Sequence, residues 1–375
     1  MVAMAPLLDD ISDSLQLSSV TAGVLMTLPV LCFGVFGPAA PRLAARFGME
    51  RTLAGVLVAL IVGSAVRLIP TVPALFGSTV LMGAAIALGN ILLPGLIKRD
   101  FPNAVGLMSG VYTLGITGGA AVAAGVTVPL ARAADLHWSV ALAAWGIVAV
   151  IGLIVWLPVL IGARPSGAAG RTPVRLMRDR LAWQVTLFFA YQSLGYYALG
   201  AWLPTLLISS GFDAAYGGFM LSVINLAGVL PAMVTPLLVA RLRRQSAFAV
   251  GLGLLLAVGV LGMLFLPTAM AAWIVVLGVA QGISLGLGLT LIVLRSPDAA
   301  HATALSGMAQ SWGYALAAVG PLVVGALYGL TGTWSVPLAF LLVMLVPQTV
   351  AGYRAGVPRF VGVTHNGTRL ERGRI

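Results

Sequence analysis

The sequence predicts an all-α, polytopic membrane protein built as two helical bundles, and three observations predict it. Between Thr21 and Gly352 the chain falls into eleven consecutive apolar segments, each close to the roughly 20 residues that carry a helix across about 30 Å of hydrocarbon. Hydrophobic residues make up 60% of the chain and charged residues 8%, which leaves too little polar surface for a water-soluble fold. Of the 21 Lys and Arg residues, 19 lie in connectors on one side of the segments, the bias that sets membrane orientation. The lipid bilayer is therefore the first partner. The +11 net charge does not imply nucleic acid, because the arginines are dispersed between spans with no soluble module around them. Cys32 is the only cysteine, so an intrachain disulfide and a cysteine metal cluster are excluded, and no cofactor is expected.

The spans follow in order. Thr21 to Ala40 runs into Arg42, Arg46 and Arg51; Thr52 to Ile69 carries the chain back, with Arg67 near its far end; Pro73 to Ile97 returns to Lys98 and Arg99. Ala104 to Leu130 and Trp138 to Ile161 pass Arg132 on the opposite face and deliver the chain to its longest connector, Arg164 to Arg180, rich in Gly, Pro and Arg. Leu181 to Ser209 and Tyr216 to Ala240 lead to Arg241, Arg243 and Arg244, and Ser246 to Leu266 with Met270 to Leu294 leads to Arg295. Ala302 to Leu330 and Trp334 to Gly352 end at the basic tail from Arg354. The basic face and the C-terminus are expected in the cytoplasm, and the chain in the plasma (inner) membrane. The expected organisation is an N-terminal bundle over 1–162, a basic linker over 163–180, a C-terminal bundle over 181–353 and a tail over 354–375.

The halves carry a faint repeat. With an offset of 197, Leu88, Gly89, Ile97, Lys98, Ser109 and Gly110 fall on Leu285, Gly286, Leu294, Arg295, Ser306 and Gly307, a pair of spans with its short basic turn. Two homologous bundles leave such a trace. Eleven spans with a cytoplasmic C-terminus place Asp9, Asp10 and Asp13 outside, whereas two bundles of six would begin inside. Eleven helices visible of an expected twelve imply that the first is missing.

Gly89-Asn90-Ile91-Leu92-Leu93-Pro94, running into Ile97-Lys98-Arg99-Asp100-Phe101-Pro102 and followed by Gly106-Leu107-Met108-Ser109-Gly110-Val111-Tyr112-Thr113, resembles the cyanate/nitroimidazole transporter branch of the major facilitator superfamily. Tyr191-Gln192-Ser193, Trp202-Leu203-Pro204 and Leu305-Ser306-Gly307-Met308-Ala309-Gln310 extend the likeness over nearly the whole chain. The resemblance implies a solute carrier that rocks two bundles about a midplane site, with cyanate-like anions or nitroimidazole-like heterocycles as solutes. Met4-Ala5-Pro6-Leu7-Leu8 looks like the end of the branch's first helix. The family's gating signature after its second helix survives as Arg46 and Gly48, with Ala45 in place of the usual aspartate and Met49-Glu50 in place of two basic residues.

All ten acidic residues lie in connectors or tails, so no carboxylate marks a proton relay inside the membrane. Transport is facilitative, or coupling lies in the missing helix, or Asp213 or Asp100 takes part. Binding then rests on neutral polar groups and ring faces. Asn90 lies four residues before Pro94, which frees the Asn90 carbonyl; it is either a cavity contact or an interhelical hydrogen bond. Gln192 with Tyr196, and Gln310 with Tyr314, are four apart and share helix faces. Tyr112 and Thr113 register with Ala309 and Gln310 under the 197 offset. These seven residues are the candidate substrate-binding set. Asn225 and Gln281 read as structural amides, Arg67 as an anion attractor or a snorkelling side chain, and Gly278, Gly282 and Gly286 as a close helix contact.

The expected function is transport of a small polar or anionic solute by alternating access. A drug efflux pump, a non-transporting membrane sensor and a truncated gene product are the alternatives. No constellation of His, Asp, Glu or Ser supports an enzyme. In a Cys32→Ser background, cysteines at Ser12 and Ser166 are expected to label from opposite sides of the membrane; labelling from one side overturns the topology.

Overall fold

In a lipid environment only elements that satisfy their own backbone can span, and the chain answers with helices. A computed structural model describes residues 4, 7–17, 19–133, 137–162, 174 and 176–362. Among these residues lie α1 (Leu8–Leu15), α2 (Ser19–Phe36), α3 (Ala39–Phe47), α4 (Met49–Val66), α5 (Val72–Asp100), α6 (Val105–Ala133), α7 (Trp138–Ala143), α8 (Gly146–Gly162), α9 (Arg180–Ser209), α10 (Ala214–Arg241), α11 (Ser246–Phe265), α12 (Met270–Leu294), α13 (Ala299–Ala317), α14 (Val319–Thr331) and α15 (Ser335–Ala355). No strand occurs among them.

Each of the eleven apolar segments maps onto a helix or a broken helix. Nine described helices or helix runs are long and apolar enough to cross a membrane, and the bent pair α2–α3 makes ten. That pair turns by 57° where Gly37 and Pro38 interrupt the ladder. The remaining helix, α9, is 30 residues long; its Gln, Ser and Tyr residues hold its hydropathy below the others. Most of the basic linker, residues 163–173 and 175, and the tail beyond 362 lie outside the described residues.

Across the two bundles α6 packs chiefly on α10, and α5 reaches α13; within the first bundle α4 packs on α5 and α8, and within the second α9 packs on α13 and α15, and α11 on α15. The second is held most closely along α10 and α12, where Gly278, Gly282 and Gly286 let α12 lie directly on the α10 backbone at Ile224, Gly228 and Ala232. A side chain at Gly282 would press on the Gly228 carbonyl. α1 buries Met4, Leu7 and Ile11 against Leu25, Leu75, Trp138 and Leu142 of the first bundle, leaving Asp10 and Asp13 exposed.

The basic connectors converge at one end. Arg99 Nη1 reaches Glu50 Oε1 at 2.6 Å and its Nε reaches Asp100 Oδ1 at 2.6 Å. This ion network includes Glu50 of the altered gating signature, reached by Arg99 from the end of α5. Asp213 caps α10 by accepting from Tyr216 N at 2.6 Å, as Asp298 caps α13 through His301 N at 2.9 Å. Both acidic residues considered for coupling, Asp100 and Asp213, thus have local structural partners. Arg295 is buried, donates from Nε to Ala355 O at 2.6 Å and from Nη2 to Gln245 Oε1. Burial pushes its guanidinium down to about 10, so it stays charged at neutral pH. The chain after α15 then crosses beneath the bundle. Val361 N donates to Arg295 O at 2.9 Å, Gly362 N donates to Asp179 Oδ2 at 2.6 Å, and the Phe360 ring lies 5.8 Å from Lys98 Nζ of the first bundle.

Because the Gly282 seam is backbone on backbone, Gly282→Ala is expected to destabilise the protein by about 1–3 kcal/mol through overpacking. Gly251→Ala, where a Cβ meets nothing within 4 Å, is expected to be neutral or stabilising by up to about 1 kcal/mol. Thermal unfolding in detergent reads both.

Candidate functional site

The two bundles meet in their arginine-rich halves. Gly95 of α5 packs on Ala299 O and Thr303 of α13, Gly106 and Gly110 of α6 pack on α10 between Met233 and Ala240, and Gly37 packs on Ser311. Ile97 and Val105 join Val293 in one apolar cluster. The hydroxyls of Thr303 and Ser311 are buried in this contact without a hydrogen-bond partner.

Above that contact the polar residues gather around one backbone atom. Pro94 has no N–H to return to the carbonyl of Asn90, and two side chains take its place. Tyr112 Oη donates to Asn90 O at 3.2 Å from α6, and Gln310 Nε2 donates to it at 3.1 Å from α13. Gln310 is 2% exposed, and the same Nε2 donates to Ser306 Oγ at 2.9 Å one turn back, which fixes the amide's direction.

One helical turn beyond Gln310, Tyr314 stands among rings from two other helices. Its centroid lies 5.0 Å from Phe33 of α2, 5.5 Å from Phe189 and 6.2 Å from Tyr197 of α9. Tyr197 meets Tyr196 edge to face at 5.4 Å. Tyr196 is 46% exposed and donates to Asn225 Oδ1 at 2.9 Å. Asn225 Nδ2 in turn donates to Leu221 O at 2.7 Å, so the exposed pair is hydrogen-bonded between α9 and α10. The site is thus a donor–acceptor knot at Asn90 with a wall of aromatic faces above it.

Of the seven candidates, the structure brings Asn90, Tyr112, Gln310 and Tyr314 together and sets Tyr196 at the edge of the same space. Gln192 is 4% exposed and spends its Nε2 on Ser193 Oγ at 2.6 Å, while Thr113 is fully buried and returns its hydroxyl to Ser109 O at 2.8 Å. Thr113 thus presents no free group, whereas Gln192 keeps its Oε1 without a hydrogen-bond partner among the described residues. Sequence reasoning missed Phe33 and Phe189, since a lone Phe in an apolar span carries no pattern, while Asn225 bonds Tyr196 of the neighbouring helix as a structural amide does. Gln281 lies elsewhere, lining with Tyr191 and Gln348 a cavity of about 20 Å³ inside the second bundle. Arg67 does not snorkel. It is 6% exposed, donates to Thr79 Oγ1 at 3.4 Å and keeps Nε unpartnered. Among the described residues no cluster of His, Cys, Asp and Glu could hold a metal ion.

Known proteins share both the sequence and the shape. The chain is 39% identical over 355 residues to the 2-nitroimidazole transporter of Escherichia coli, covering 94% of this chain and 90% of that one. It is 39% identical over 365 residues to the uncharacterized transporter YycB of Bacillus subtilis, covering 96% and 90%. The cyanate transport protein CynX of Escherichia coli is 28% identical over 365 residues, covering 96% and 94%. In fold, the proton:xylose symporter XylE superposes with a TM-score of 0.76 at 15% identity, covering 95% of this chain and 92% of that chain. The Escherichia coli fucose:proton symporter FucP does so at 0.73 and 12%, covering 94% and 95%. Residues 1–318 match the Major Facilitator Superfamily, and with these relatives along nearly its whole length the chain belongs to that family of membrane transporters.

Proposed function

We propose that the chain moves a small, neutral, planar polar solute of the nitroimidazole type by alternating access between two bundles, 1–162 and 181–353. The arginine-rich end faces the cytoplasm of the inner membrane. The observation that carries this reading is the central constellation itself: neutral donors from Tyr112 and Gln310, the Asn90 carbonyl, and the rings of Phe33, Phe189, Tyr197 and Tyr314, contributed by both bundles. Aromatic faces and neutral hydrogen bonds suit a flat heterocycle with a delocalised ring. A bare anion needs a compensating cation at the same depth, and none of the side chains in this constellation supplies one. The basic groups stand at the bundle ends instead. The relative that carries 2-nitroimidazole supports this choice over cyanate. A cyanate-like or small carboxylate solute is favoured by one feature, the buried Arg67 with its unpartnered Nε.

The packing of the arginine-rich halves against one another supports reading this as a state closed toward the cytoplasm. Flux in proteoliposomes across a panel of 2-nitroimidazole, cyanate and small carboxylates tests the solute class. Saturable flux of the nitroimidazole that cyanate fails to compete supports the reading, and preference for the anions overturns it. Gln310→Ala removes a hydrogen bond worth about 0.5–1.5 kcal/mol and is expected to raise half-saturation roughly two- to tenfold. Tyr314→Ala removes ring contacts worth about 0.5–1.5 kcal/mol beyond area burial and is expected to do the same. Gln192→Ala is expected to change it less than either, since its amide is already engaged by Ser193.

A further inference from the structure

The Asn90 carbonyl has two acceptor positions, one taken by Tyr112 of its own bundle and the other by Gln310 of the opposite bundle. Among the described residues the Gln310 bond is a side-chain hydrogen bond that joins the two bundles; alongside it stand the Lys98–Asp298 charge attraction, the Lys98–Phe360 cation–π contact, apolar clusters and buried unpartnered hydroxyls. It lies at the foot of the aromatic wall, next to where a planar solute would stack. Resting on the proposed function, we propose that the solute replaces this bond. Its N–H donates to the Asn90 carbonyl in place of Gln310, and its acceptor atom takes the released Gln310 amide. Binding would then undo one tie that holds the bundles closed on the cytoplasmic side.

Three features support the exchange. An imidazole edge offers a donor and an acceptor, the complement of a carbonyl beside an amide N–H, so the site ends with no polar group orphaned. Ser306 holds the Gln310 amide from one turn below, so the amide stays oriented when its carbonyl partner leaves. Tyr314, four residues on from Gln310 and tilted against Phe33, provides a ring face on the same side of α13. A ligand shifts a conformational equilibrium only by binding one state better than the other. Exchanging a cross-bundle bond for a solute bond supplies that difference.

The test compares three solutes on the full chain: 2-nitroimidazole, its N1-methyl analogue and its 4-methyl analogue. The two methyl compounds add similar volume, but only the first loses the N–H. Calorimetric binding to detergent-purified protein is expected to be about tenfold weaker for the N1-methyl compound, which leaves the carbonyl unpaired, and nearly unchanged for the 4-methyl compound. Spin labels on cysteines replacing the exposed Arg51 and Arg243, in a Cys32→Ser background, read the cytoplasmic separation of the bundles. 2-Nitroimidazole should widen that distribution in the otherwise unaltered protein, and Gln310→Met should widen it without solute. Equal binding of all three solutes, or an equal loss with both methyl compounds, overturns the exchange while leaving the proposed function standing. An unchanged distance distribution in Gln310→Met overturns the tie. Binding of none of the three defeats the proposed function itself.

Discussion

Hydrocarbon offers no hydrogen bonds, and that constraint governs this molecule from its helices to its site. Every backbone group inside the membrane must be satisfied by the protein, so a proline that breaks the ladder creates a demand that side chains must meet. Pro94 creates it at Asn90, and Tyr112 and Gln310 meet it from two different helices. The same constraint explains why the short hydroxyls do not take part. Thr113, Thr117, Thr290 and Ser296 all donate to the carbonyl four residues back in their own helices, the nearest acceptor available to a short side chain. The bonds that reach across come mostly from longer side chains, the amides, tyrosines and tryptophans, with Ser246 to Tyr353 O as a short exception.

The stability of the protein is distributed unevenly in a way that suits a carrier. Within the second bundle α12 lies on α10 through glycines, with backbone against backbone, and such a seam resists deformation. At the arginine-rich end the Arg295 guanidinium ties α12 to the end of α15 and to Gln245 before α11. Between the bundles glycine contacts recur, Gly106 and Gly110 on α10 and Gly95 on α13, but polar groups are left unmet beside them. Thr303 and Ser311 bury hydroxyls there without partners, and an unmet buried hydroxyl costs on the order of 1–3 kcal/mol.

The arginine-rich end also shows how charge is kept out of the central path. Lys98 and Arg99 terminate α5, with Arg99 paired to Glu50 and Asp100 and Lys98 facing Phe360. Asp179, Asp213 and Asp298 are each engaged as helix caps. Charged groups are thereby held where water or partners compensate them, and the middle of the membrane is left to neutral donors and rings.

The sequence by itself determined the class of the protein. Segment length, hydropathy and the one-sided distribution of Arg and Lys depend on the bilayer alone, so they can be read without knowing what touches what. Two local facts about the site were also legible: Pro94 releases the Asn90 carbonyl, and Gln310 shares a face with Tyr314, because both follow from helix geometry within one turn. Only the tertiary structure decided which groups answer that carbonyl, that the Thr113 hydroxyl and a Gln192 N–H are spent locally, and that Phe33 and Phe189 wall the site. Those outcomes depend on the rotation and depth of α2, α5, α6, α9 and α13 relative to one another, set by glycine contacts and bends such as that at Gly37 and Pro38. A helical period fixes which residues share a face, but the packing of the neighbouring helices decides what that face meets.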